Sequence, residues 1–90
     1  MSKHEKLLEE LCRRPKDFTW NSAVSLLRHY GFKRLNRKTG GSHRTFYCEE
    51  RDIIFKISEP HPGNELKMYQ VDDLLDVLVR VGAITDETDD

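Results

Sequence analysis

The sequence predicts an α+β domain with the element order α-α-β-β-β-α, a three-stranded antiparallel sheet with helices on one face. Three observations lead there. Apolar residues recur at helical spacing before Gly31 and again after Lys67, but between Phe32 and Ser58 they alternate in short runs rich in β-branched and aromatic residues. The turn-forming clusters KTGG and EER separate those runs. A sheet apolar on one side must be covered there, and the helices are the only cover such a chain offers.

Taken in order, Ser2 followed by Glu5 fits a capping box, in which each side chain satisfies a free backbone donor at a helix start. Leu7, Leu8, Leu11 and Cys12 then recur at helical spacing, and Pro15 closes the segment. Residues 1–18 therefore read as an accessory helix held by its three leucines, 19–84 as the domain proper and 85–90 as an acidic, disordered tail. Thr19 can cap a second helix whose inward stripe is Trp20, Ala23, Val24, Leu27 and Tyr30, with Gly31 just past its end.

The runs FKRLNR, SHRTFYC and DIIFKIS read as a meander. On the second strand Phe46 and Cys48 share the parity that suits burial, and His43, Thr45 and Tyr47 share the other. Ile53, Phe55 and Ile57 bury on the third. His43 is thus expected on the exposed face beside the glycine hairpin, unless a bulge at Gly40–Gly41 shifts the register. The segment EPHPGNELK is a loop kept irregular by Pro60 and Pro62. A last helix carries Val71, Leu74, Leu75, Leu78 and Val79 on one side, Asp72 and Asp73 near its first turn, and Gly82 at its end. Two helices on one side of a three-stranded sheet is the architecture of double-stranded RNA-binding domains.

Composition narrows the function classes. With 37% hydrophobic and 34% charged residues in 90, the chain reads as one small soluble domain. It lacks an apolar run of membrane-spanning length and a signal-peptide core, so the default location is cytoplasmic. Cys12 and Cys48 have no metal-ligand spacing and are expected buried and reduced; no metal or cofactor is expected. The net charge of −1 hides an asymmetry: Arg28 to Arg44 holds six Lys/Arg residues and no acid, and Glu59 onward holds nine acids against Lys67 and Arg80. Such a local cationic cluster fits an anionic partner such as a phosphate backbone, although on charge alone a solvated polar face is the better reading.

Judged on the residues only, His43 is more often a structural or merely exposed histidine than a catalytic one, and Ser42 beside it makes no triad. Its surroundings favour chemistry on RNA. Gly40 and Gly41 admit a phosphate or ribose close to the backbone, Lys38 and Arg44 can hold a phosphate, and Tyr47 can stack on a base. RNA brings its own nucleophile, the 2′-hydroxyl, so one histidine with nearby cations suffices without a metal. His61, between two prolines, reads as a loop-fixing residue, and His4 and His29 as exposed helix residues.

Gly41-Ser42-His43 and His61-Pro62-Gly63 with Glu65-Leu66, set in the order helix, GF, basic strand, GGSH, aromatic strand, PHPGNELK, helix, resemble the HicA-type toxins of bacterial HicA–HicB toxin–antitoxin pairs. The resemblance covers roughly Trp20 to Ile84. It implies a small mRNA-cleaving endoribonuclease with the double-stranded RNA-binding-domain fold and a HicB-like antitoxin as partner. It also implies that His43 is the catalytic histidine, Gly41 and Ser42 position the backbone, and Arg37, Lys38 and Arg44 bind phosphates. Where many members carry a second histidine, this chain has Arg44, which leaves acid–base work to His43 alone. It also carries about twenty residues before the family core. Two other readings share the fold: an RNA-binding module that leaves RNA intact, and a protein-interaction domain.

Overall fold

The computed structural model describes residues 2–35, 43–61 and 63–84. Three helices, α1 (Lys3–Cys12), α2 (Trp20–His29) and α3 (Met68–Arg80), accompany three strands, β1 (Phe32–Leu35), β2 (His43–Cys48) and β3 (Ile53–Ser58). The strands form one antiparallel sheet in the order β1-β2-β3. The protein is therefore a small α+β domain with the expected element order. The glycine hairpin and the acidic tail lie outside the described residues.

Local signals set the helix ends. Ser2 Oγ accepts from the Glu5 amide and Glu5 reaches back to the Ser2 amide, which is the capping box. Thr19 Oγ1 accepts from the Ser22 amide at the start of α2. Gly31 ends that helix at φ +96°, where only glycine turns the chain without strain, and leads it directly into β1. Helix α3 begins at Met68, so Asp72 and Asp73 lie in its second turn and not near the first. The start is fixed instead by Gln70, whose Oε1 accepts from the Lys67 amide.

Strand alternation divides the sheet as its sequence pattern requires. Phe32, Phe46, Cys48, Phe55 and Ile57 are buried on one face against Trp20, Ala23, Leu26, Leu27, Val71, Leu74, Val77 and Leu78 of the helices. Trp20 and Phe46 meet as tilted rings with centroids 6.1 Å apart. The helix stripes differ slightly from the sequence expectation, because Leu26 and Val77 are fully buried while Val24, Tyr30, Leu75 and Val79 are only partly so.

The first helix joins this same core. Leu11 is fully buried, Leu7 and Leu8 pack partly against the cluster, and Phe18, the last residue of the supposed accessory segment, is 1% exposed. Cys12, expected inside, is exposed, because it lies one step around the helix from Leu11; Cys48 is buried, and both are free thiols. Partial burial, and to a lesser extent Glu9, raises the Cys12 pKa, so its thiol is protonated at neutral pH.

Two polar contacts tie α1 to its neighbours. Arg14, in the left-handed region at φ +53°, forks onto Asp72 of α3, with Nε–Oδ1 at 2.7 Å and Nη2–Oδ2 at 3.0 Å. This pair lowers the Asp72 pKa chiefly through the hydrogen bond from Arg14. At the other end of α1, the His4 ring stacks on His29 of α2 with centroids 4.0 Å apart and planes 11° from parallel, and His4 Nε2 meets Ser25 Oγ at 3.2 Å.

The His4 pKa is lowered, first by desolvation and then by the charges of His29 and Lys3. The folded protein thus binds the His4 proton more weakly than the unfolded chain. The stability that this contact contributes is present above the ordinary histidine value of 6.5 and is lost as pH falls through it toward the depressed value. Between pH 7 and pH 5 the urea midpoint of the wild type is therefore expected to fall further than that of His4→Gln; equal falls would remove this group as the cause.

Candidate functional site

Strand alternation and register build the uncovered face of the sheet. Its rows are Lys33–Tyr47–Ile54, then Leu35–Thr45–Lys56, then His43–Ser58. His43 is exposed at the start of β2, where the chain leaves the hairpin, as its parity predicts. It faces Ser58 at the end of β3, and His43 Nδ1 and Ser58 Oγ share a hydrogen bond of 3.1 Å.

A serine hydroxyl rotates, so it can donate to a bare Nδ1 or accept from a protonated one. The imidazole therefore keeps its orientation in either protonation state while Nε2 remains available to a substrate. Ser58 is itself anchored: Nε2 of Gln70, which is 4% exposed, donates to the Ser58 carbonyl at 2.8 Å. One buried amide thus sets the start of α3 and the end of β3 that carries the histidine's partner. Gln70→Ala removes the side-chain partner of two part-buried backbone groups and is expected to cost about 1–3 kcal/mol of stability in urea unfolding; a change below about 0.5 kcal/mol would mean water replaces the amide.

The remaining predicted site residues divide. Arg37, Lys38, Gly41 and Ser42 lie outside the described residues. Arg44 shares the parity of Phe46 and points to the helix-covered face, away from the His43 ring. There its guanidinium pairs with Glu59 at 3.1 Å and also donates to the His43 carbonyl at 3.1 Å. Tyr47 is on the uncovered face, but four residues along β2 from His43, a separation of about 13 Å. Its hydroxyl donates to Asp52 Oδ1 at 2.9 Å, and that bond, with lesser contributions from desolvation and the nearby acids, raises the phenol pKa. Asp52 holds the β2–β3 turn at φ +54°.

Sequence reasoning passed over Lys56. It occupies the diagonal position to His43, a spacing of about 7–8 Å on the same face, and is exposed. The alternation of DIIFKIS contained the signal, because Phe55 and Ile57 inward force Lys56 outward. Lys56 supplies a positive charge beside the imidazole that Arg44, by its side of the sheet, does not.

The second motif is placed except for Pro62, which lies outside the described residues. Asn64, Glu65 and Leu66 lie along Phe18, Thr19 and Trp20, with the Trp20 amide donating to the Asn64 carbonyl at 2.6 Å and the Leu66 amide to the Phe18 carbonyl at 2.8 Å. This pairing sets where α3 begins relative to α2. His61 is exposed in the same connection. Among the described residues no three His, Cys, Asp or Glu side chains gather as metal ligands, and no helix is long and apolar enough to cross a membrane. In comparisons with known proteins, no family model, curated protein or solved structure matches the chain.

Proposed function

We propose that this protein is a HicA-like endoribonuclease, the toxin of a toxin–antitoxin pair, acting in the cytoplasm on a double-stranded RNA-binding-domain-like fold. The observation that carries the reading is the state of His43: exposed on the uncovered sheet face, with its ring held through Nδ1 to Ser58 and no partner on Nε2 among the described residues. In the reaction, the imidazole takes the proton from a ribose 2′-hydroxyl, and its oxygen forms a bond to the adjacent phosphorus. The bond from phosphorus to the 5′-oxygen breaks, and that oxygen takes the proton from the imidazolium, which restores the neutral ring. The products are a 2′,3′-cyclic phosphate and a 5′-hydroxyl, and no metal takes part. Lys56 offsets charge on the phosphorane, and Arg37 and Lys38 of the hairpin hold flanking phosphates. A HicB-like antitoxin would silence the enzyme by covering this same face.

One observation favours a second reading, RNA binding without cleavage. Among the described residues His43 has a hydroxyl as its side-chain partner and no second proton-transferring group beside it, and Arg44 is turned to the other face. Incubating RNA with the wild type and His43→Ala in EDTA separates the two. Cleavage by the wild type alone supports the nuclease; intact RNA that is nevertheless bound by both supports the module.

A further inference from the structure

The turn at Gly31 brings the end of α2 against β1 and leaves a hollow lined by Arg28, Gly31, Phe32, Lys33 and Arg34. Among the described residues three cations border it and no acid does. Arg28 and Arg34 are exposed, and neither has an ion-pair partner among the described residues. Lys33 reaches Glu49 only at 3.9 Å, between side chains about three-quarters exposed, a contact that solvent and salt readily exchange. Arg28 has a local role as a cation in the last turn of α2, where it complements the helix dipole. That role does not account for Arg34 on the next strand, whose guanidinium borders the same hollow.

Arg28 also lines a neighbouring hollow with His4, Asn21, Ser25 and His29, again without an acid. The two hollows, joined at Arg28, make a continuous track from the edge of β1 across α2 to the stacked His4 and His29 rings, with its cations gathered at the β1 end. Guanidinium forks match phosphate oxygens two at a time, and the exposed His29 ring beside them suits an unpaired base.

We infer that the Arg28–Lys33–Arg34 hollow is a second RNA site, one that binds the phosphate backbone of a single strand outside the cleavage centre. The inference rests on the reading of the protein as one that acts on RNA. Lys33 pairs with Tyr47 across the sheet, so its backbone is about 14 Å from that of His43 by strand geometry, whereas Arg34, opposite Phe46, points to the helix-covered side of the β1 edge. A strand with its scissile bond at His43 must extend by some nucleotides and round the edge of β1 to reach the hollow. Arg28 and Arg34 therefore select for length of unpaired RNA and do not touch the reacting phosphate.

The test uses a fluorescent single-stranded RNA of about twelve nucleotides with 2′-O-methyl groups, which cannot be cleaved, and anisotropy over a salt series. Arg28→Gln with Arg34→Gln is expected to weaken binding about 10-fold or more at low salt. The log–log salt slope should become shallower by about 1.4, at about 0.7 per phosphate contact on a single strand. Arg13→Gln with Arg80→Gln removes the same charge from other exposed positions and should leave both quantities nearly unchanged. Equal losses in the two double variants would reduce the effect to net charge and overturn the site. Wild-type binding that Arg28→Gln with Arg34→Gln does not alter would overturn the site and leave the RNA reading standing. Absence of any wild-type binding would overturn both. Displacement of the RNA by an Asp/Glu peptide at equal concentration would reassign the hollow to a protein ligand.

Discussion

His43→Ala should lower RNA cleavage by about 10²–10⁴-fold, the usual contribution of a positioned acid–base group, with the fold unchanged. The ring is exposed at a strand end, and its one side-chain hydrogen bond among the described residues, to Ser58, is also exposed, so its removal takes nothing from the core. Circular dichroism and the urea midpoint should match the wild type. His43→Gln sharpens the result. Glutamine can bond Ser58 and fill much of the same space, yet it carries no proton between groups, so it should be as inactive as alanine. In cells, expression of the wild type should arrest growth and expression of either variant should not. Cleavage by His43→Ala at more than about a tenth of the wild-type rate would remove the imidazole from the mechanism.

Leu11→Ala should destabilise the protein by about 2–5 kcal/mol, the range for truncating a buried leucine and leaving a cavity. In a domain of this size that lowers the melting temperature by about 10–25 °C. Leu11 is 0% exposed and sits in one cluster with Leu26, Leu74 and Leu78. Leu8→Ala, at a partly buried position on the same helix, should cost less than about 2 kcal/mol. A small effect at Leu11 would restore the picture of α1 as an attachment. For the same reason a chain shortened to residues 19–90 should fold poorly, since it loses both Leu11 and Phe18 from the interior.

Much of the fold was legible because short-range rules specify it. The Ser2–Glu5 box, Thr19, Gly31 and the alternation of Phe46, Cys48, Phe55 and Ile57 each act within a few residues of themselves. The exposure of His43 followed from the same alternation. The features that were missed depend on how elements dock. Gln70 looks like an ordinary polar helix residue until the Ser58 carbonyl is brought to it, and Asp72 gains its partner only when the end of α1 arrives with Arg14. Phe18 precedes a capping residue and so fell outside any helical stripe, yet the 64–66 segment closes over it. Arg44 is the instructive case: adjacency in sequence grouped it with His43, whereas the two-residue period of a strand, already available, puts consecutive side chains on opposite faces.

The pairing of residues 64–66 with 18–20 also bears on synthesis. The start of α2 leaves the ribosome early, but the backbone groups of Phe18 and Trp20 gain their partners only after Asn64 and Leu66 have emerged. The clamp that orients Ser58 likewise waits for Gln70. Assembly from such distant contacts comes late on a growing chain. The frame around His43 therefore forms only after segments on both sides of it in the sequence, residues 18–20 and 64–70, have emerged and met.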